Sequence, residues 1–237
     1  MPDRLVLRQD HGAVSILTLN RPAKRNALSP AVFEGLRSQV DALAEASGDI
    51  RVVIIRGAGP SFCAGADLAA LREGVVTEDP EFRSRTIQKI GAMPQTVIAA
   101  VHGHCLTGGL ELALAAAFII ASENTVFRDT HAALAIVPRW GMSARLPRRI
   151  GLTRARWLSV TATPVTARQA LSMGLCEMVT ENSGHMEAVM EIVQRIADNA
   201  ASSISALNHL YPAALAMPLD DALEYERGFT PVGGRGA

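Results

Sequence analysis

The sequence predicts an α/β fold, a mostly parallel sheet wrapped by helices, and three observations carry that expectation. Residues 52–55 form a continuous β-branched run, as expected of a strand covered on both faces. Shorter apolar runs at 97–101 and 118–121 repeat the strand signal, with helical spacing between them, and strand–helix alternation is how a parallel sheet is usually built. From Thr153 onward the pattern turns mainly helical, with one more strand near residues 176–180.

The elements follow in order. Residues 13–19 alternate like a half-exposed strand, and Asn20-Arg21-Pro22 ends it in a turn. Ser29-Pro30 sets a capping residue before a proline at the first helical position. Val32, Phe33, Leu36, Val40 and Leu43 then recur at helical spacing, which gives an amphipathic helix of roughly four turns. After a glycine-rich loop at 57–65, a short helix is predicted from about Asp67 and another over 82–93, stopped by Pro94. The strand at 97–101 runs into paired glycines, Gly108 and Gly109, which open a nearly all-apolar helix.

Helices are predicted over 153–161, 166–173 and 186–199, the second with a polar cap and a glycine stop at Gly174. The tail after Phe229 is expected to be disordered. The domain expectation is a core over residues 1–195 and a C-terminal helical segment with its tail over 196–237.

At 237 residues the chain is long enough to bury a full core. Its 23 basic and 23 acidic residues balance, which argues against nucleic acid or a membrane surface as partner. Aromatics at 4% leave little for base stacking. Cys63, Cys105 and Cys176 match neither a disulfide framework nor a metal-ligand spacing. His102 and His104 lack a nearby acidic or cysteine partner, so no metal site is expected. With no apolar leader and no run of membrane-spanning length, a reduced, cytoplasmic, soluble protein is expected.

Glu111 is the only charged group between Val97 and Ser122. It sits in the first turn after Gly108-Gly109, where helix amides have no partner within the helix and can face a developing negative charge. The loop after Ile55 begins Gly57-Ala58-Gly59, yet Phe62 stands where a dinucleotide fingerprint needs a small residue and Pro60 interrupts it. Its later part, Ala64-Gly65-Ala66-Asp67, exposes backbone N–H groups where a second helix begins. Two such loops at neighbouring parallel strands would form an oxyanion hole suited to a thioester enolate, with donors near Ala66 and Gly108. The alternative is two ordinary strand-to-helix turns. No Gly-x-Ser-x-Gly elbow is present, which disfavours a serine hydrolase. Cys63 and Cys105 read as small apolar fillers, and Trp140 and Trp157 as packing residues.

These residues carry a resemblance. Phe62-Cys-Ala-Gly-Ala-Asp-Leu68 followed by Val101-His-Gly-His-Cys-Leu-Thr-Gly-Gly-Leu-Glu-Leu112 resembles the enoyl-CoA hydratase/isomerase (crotonase) superfamily. Asn20–Leu28, Pro138-Arg-Trp-Gly-Met-Ser-Ala-Arg-Leu146 and Ala167–Gly174 resemble further motifs of that family, in the same order. The resemblance implies a crotonase-like spiral of ββα units with a helical C-terminal region, assembled as a homotrimer or a dimer of trimers. It implies acyl-CoA ligands and no cofactor beyond the CoA thioester itself. The oxyanion amides would be those of Ala66 and Gly108. Ala64, Ala66, Asp67, Leu68 and Ala69 would lie along the CoA path, and Arg21, Lys24 and Arg25 would meet the CoA phosphates or form a solvated basic turn.

Glu111 matches the family's first catalytic glutamate. The second should follow Phe127, and His131 stands at the matching position. Hydration of an alkene needs one group to take a proton and another to give one, so His131 either replaces the carboxylate or lines the pocket as a satisfied polar residue. Asp129 would point away from it if this segment is extended, and His104 is expected to border the acyl pocket. Two further departures are the lack of an acidic residue near Ala117 and an end soon after residues 225–229. The expected activity is addition of water to 2-enoyl-CoA thioesters; the alternatives are an enoyl-CoA isomerase and a non-catalytic acyl-CoA-binding member of the fold.

Overall fold

The computed structural model describes residues 4–45, 49–72 and 79–230. Its main sheet has six strands in the order β1 (Val6–His11), β2 (Val14–Leu19), β3 (Val52–Gly57), β4 (Thr96–Val101), β6 (Phe118–Ser122) and β9 (Met178–Thr180). Only the β1–β2 pair is antiparallel; the rest run parallel, as the buried β-branched runs predict.

Strand alternation divides the side chains between two apolar layers. Leu17, Leu19, Val53 and Ile55 face the layer that contains Phe33, Leu36 and Val40 of α1 (Pro30–Glu45). Val14, Ile16, Val52 and Ile54 face the other, closed by Val189 and Val193 of α8 (His185–Ala197). Strand β2 is therefore buried along its whole length and not half-exposed. Its alternation arises because Ser15 is buried yet satisfied, donating to Asp10 Oδ1 at 2.7 Å. In α1, the five apolar positions that define the helix in the sequence are the five buried ones.

A second sheet of three short strands, β5 (His104–Leu106), β7 (Val126–Arg128) and β8 (Val165–Thr166), was not predicted. Segments of two or three residues are too short for alternation to register. As a result β4 does not run directly into the glycine pair; β5 lies between them. The remaining helices are α2 (Leu68–Arg72), α3 (Phe82–Gly91), α4 (Gly108–Ala113), α5 (Met142–Ile150), α6 (Leu152–Thr161), α7 (Ala167–Ser172), α9 (Ala201–Ala214) and α10 (Leu219–Gly228). Thr166 and Gln169 form a capping box at the start of α7. Trp157 on α6 is half exposed and so is no core packing residue. Helices α9 and α10 bury no residue fully; Asn208 ties α9 to the sheet by donating to Pro94 O and Thr96 Oγ1, both at 3.1 Å. The expected disordered tail falls mostly on residues 231–237, outside the described residues.

Asn26 sets the position of the first glycine-rich loop. Its side-chain N–H groups donate to Ala58 O at 2.9 Å and Ser61 O at 2.7 Å, and its Oδ1 accepts from Arg21 N at 2.9 Å. The residue is 1% exposed, so Asn26→Ala strands three buried polar partners, and we expect a loss of about 3 kcal/mol from urea unfolding.

Candidate active site

Two loops, each leading from a strand to a helix, lie backbone to backbone. Phe62 N donates to His102 O at 2.7 Å, Cys63 N to His104 O at 2.9 Å and Leu106 N to Cys63 O at 3.0 Å. On its other side the first loop is stitched to the turn after β2: Ala64 N donates to Arg25 O, Leu28 N to Gly65 O and Asp67 N to Leu28 O. Those bonds leave the Ala66 amide facing the second loop. A Cβ placed on Gly108 would stand 3.3 Å from Ala66 N, and one placed on Gly65 would stand 3.3 Å from Gly108 N. Among the described residues neither the Ala66 nor the Gly108 amide donates to a protein acceptor.

The glycine pair serves this packing directly. A Cβ on Gly109 would fall 2.5 Å from Cys63 O, and one on Gly108 would fall 2.4 Å from Cζ3 of Trp140. Cys63 and Cys105 are fully buried beside the contact, and burial pushes the Cys63 thiol up to about 12, which suits filler rather than nucleophile. Thr107, immediately before the pair, holds φ at 46°, a strained value for a β-branched residue. Its hydroxyl is locked to Thr130 Oγ1 at 2.5 Å, and its amide donates to Arg128 O.

Glu111 lies beside these amides with its side chain 1% exposed. Oε1 accepts from Trp140 N at 2.9 Å and Met142 N at 3.1 Å. Oε2 stands 3.7 Å from His131 Nε2, longer than a hydrogen bond and short enough for one reacting atom or water to bridge. Burial raises the Glu111 pKa; the two amides and His131 oppose that shift without cancelling it.

His131 is turned toward Glu111 by Asp129, whose Oδ1 receives its ring Nδ1 at 2.5 Å and its backbone N at 3.1 Å. Asp129 therefore does not point away. Strand β7 stops at Arg128 and His131 is already in helical backbone, so strand alternation no longer applies. Burial works against charge on His131, but the Asp129 hydrogen bond and the charges of Asp129 and Glu111 prevail and hold its pKa above the ordinary imidazole value. Burial would likewise raise Asp129, yet its bonds from His131 and Ser159 hold it below the usual carboxylate range.

Other expected site residues divide. Arg21 is ion-paired with Asp67 at 3.0 Å and also donates to Ala27 O, so it is not free for a phosphate. Lys24 and Arg25 are exposed in the turn beside it. Asp67 also accepts from Ala70 N at 3.3 Å, capping α2, where Leu68 and Ala69 are exposed. The Ala64 amide is occupied by Arg25 O.

His104 pairs its Nδ1 with Ser61 Oγ at 3.2 Å. Trp140 is more than a packing residue. Its amide holds Glu111, and its ring packs edge-on against Phe33 at 4.9 Å between centroids while covering Gly108. Thr107 escaped the sequence reading, as did the hold of Asp129 on His131 and of the Trp140 amide on Glu111. The missing acid near Ala117 is answered by Arg149, which donates to the carbonyls of Ala116 and Ala117 and pairs with Glu177 at 2.8 Å. Among the described residues no group of three or more His, Cys, Asp or Glu side chains is placed to hold a metal ion.

Comparison with known proteins bears on the family and the fold. Residues 9–230 match the family model described as Enoyl-CoA hydratase/isomerase. The short-chain-enoyl-CoA hydratase of Clostridium acetobutylicum is 32% identical over 225 residues, covering 93% of this chain and 86% of the relative. The carnitinyl-CoA dehydratase of Salmonella typhimurium is 35% identical over 225 residues, covering 92% and 84%. The crystal structure of enoyl-CoA hydratase from Bacillus anthracis superposes with a TM-score of 0.88 at 34% identity, covering 94% of this chain and 88% of that one. A Thermobifida fusca structure in complex with acetoacetyl-CoA gives 0.86 at 26% identity, covering 94% and 92%. With two sheets, closing helices and a family match across nearly its whole length, the chain belongs to the enoyl-CoA hydratase/isomerase family.

Proposed function

We propose that this protein is a hydro-lyase that adds water across the double bond of 2-enoyl-CoA thioesters. The observation that carries the reading is the free Glu111 Oε2 facing His131 Nε2 across 3.7 Å, next to two unpartnered amides. The Ala66 and Gly108 amides polarise the thioester carbonyl and receive the charge of the enolate; each such donor contributes about 3–4 kcal/mol of transition-state stabilisation.

Glu111 takes a proton through Oε2 as the water oxygen bonds to Cβ, while its Oε1 stays clamped by two N–H groups. His131, kept protonated by Asp129, delivers the proton at Nε2 to Cα. Proton return from Glu111 to His131 across the gap restores the starting state. Isomerisation of a 3-enoyl-CoA needs one proton-shuttling group, whereas two groups facing each other suit hydration. Lys24 and Arg25 are the cations left to meet CoA phosphates along the Ala64–Ala69 path. We also propose a homo-oligomer, supported by the exposed Leu134, Ile136 and Val137 beside the site.

Glu111→Gln keeps the acceptor for Trp140 N and Met142 N but removes the base. Loss of absorbance of crotonyl-CoA is expected to slow by about 10²–10⁴-fold, while calorimetric binding of butyryl-CoA survives. Turnover close to that of the unaltered enzyme would place the base elsewhere.

The pH profile gives a second test. Activity falls as pH drops through the raised Glu111 pKa and again as pH climbs through the raised His131 pKa, since the acid must carry its proton. Asp129→Asn removes the charge that holds His131 protonated, so the alkaline limb of kcat/KM moves to lower pH. An unmoved limb would separate His131 from the proton donor.

A further inference from the structure

A cavity of about 490 Å³ lies against Trp140 and is lined also by Arg139, Arg145, Arg148, Ser84 and Gln88. Its lining among the described residues contains three guanidinium groups and no carboxylate. None of the three arginines forms an ion pair among the described residues, unlike Arg21, Arg37, Arg85 and Arg149, which do. Arg145 donates to Trp140 O at 2.9 Å and Arg148 to Ala144 O at 2.7 Å. A guanidinium has five N–H donors, so most of theirs remain unmatched by protein acceptors. Arg145 is partly buried, and burial pushes its pKa below the ordinary value although the charge of Glu111 works the other way. A cation in that position is stabilised by an anion brought to it.

The cavity adjoins the site through Trp140 and Gly141. The carbonyl oxygen belongs at the Ala66 and Gly108 amides, and Cα and Cβ belong beside the Glu111–His131 pair, within reach of Oε2 and Nε2. Glu111 is clamped by the amides of Trp140 and Met142, the same segment whose Trp140 and Gly141 line the cavity. Acyl carbons beyond Cβ that run along the Trp140 ring, which covers Gly108, would enter this cavity and leave Leu68, Ala69 and the exposed cations of the turn behind.

We propose that the preferred substrate is a 2-enoyl-CoA whose acyl chain ends in a carboxylate, bound there by Arg145 together with Arg139 and Arg148. This deepens, and rests on, the hydratase reading above. A second, larger cavity of about 770 Å³, mostly apolar, lies between α3, α5, α9 and residues 114–118, shares Gln88, Arg145 and Arg148 with the first, and offers room for a chain ending in a methyl group.

The test is calorimetric binding of glutaryl-CoA against pentanoyl-CoA, and of adipyl-CoA against hexanoyl-CoA, at low and high salt. One carboxylate-terminated ligand is expected to bind about tenfold or more tightly than its methyl-terminated partner, with the preference shrinking as salt rises. Arg145→Met and, separately, the exposed pair R139Q/R148Q should draw that ratio toward unity, each variant's methyl-terminated ligand serving as its own control. Equal binding of both kinds by the unaltered protein overturns the proposal. An equal loss of both in the variants also overturns it, because the arginines would then be reading CoA phosphates or holding the fold. Turnover of glutaconyl-CoA against 2-pentenoyl-CoA separates the two layers. If neither reacts while the binding preference stands, the hydratase reading fails and the carboxylate subsite does not.

Discussion

The site depends on a contact with no side chain on one of its two sides: the backbone of the second loop at Gly109 lies against the backbone of the first at Cys63. A parallel bridge between Cys63 and Cys105 fixes the register of that contact. Register matters because backbone N–H groups alternate in direction along an extended segment. In the first loop the Asp67 amide is spent on the turn after β2 while Ala66 faces the second loop. A slip of one residue would present a carbonyl where a donor is needed. The stitching by Asn26 and Leu28 on the outer side therefore bears on chemistry as well as on stability.

The same contact explains where strain is stored. For Gly108 to begin a helix with its amide aimed across at the first loop, the chain must turn sharply at the residue before it. Thr107 accepts that turn at φ 46°, and its hydroxyl and amide are both tied to the strand-to-helix segment that carries Asp129 and His131. One strained residue thus links the amide pair to the imidazole. Trp140 closes the arrangement from a third segment: its amide holds Glu111, its ring covers Gly108, and its carbonyl holds Arg145.

What was legible in the sequence was local. The five apolar positions of α1, the glycine pair and the isolated Glu111 each announce themselves within a few residues, because periodicity and backbone permissiveness are properties of neighbours. What escaped depends on distant partners. Strands β5, β7 and β8 are too short to show a pattern and exist because they pair with one another and with the first loop. Trp140 looks like any apolar residue, since its contribution to Glu111 is a backbone N–H, which every non-proline residue has. The pairing of Arg21 with Asp67 does not show in the sequence, because the two lie far apart along the chain. The direction of Asp129 turned on where β7 stops, which pairing sets and residue type does not.

The charges of Glu111, His131 and Asp129 make an imidazole a favourable neighbour for a buried carboxylate. Two carboxylates across 3.7 Å would repel, and one would be driven to protonate. An imidazolium at that spot turns the interaction attractive, by about 4 kcal/mol at an effective dielectric near 20. Asp129 then returns a negative charge behind the ring and holds the proton in place. With His131 protonated the trio carries one net negative charge. In the proposed hydration, once Glu111 has taken a proton from water and His131 has given one to carbon, it would still carry one. The reaction therefore moves protons through the trio without changing its charge. The charge that does develop, on the thioester oxygen, is met by two amides that cannot titrate, so the dependence on pH belongs to the trio and the polarisation of the carbonyl does not share it.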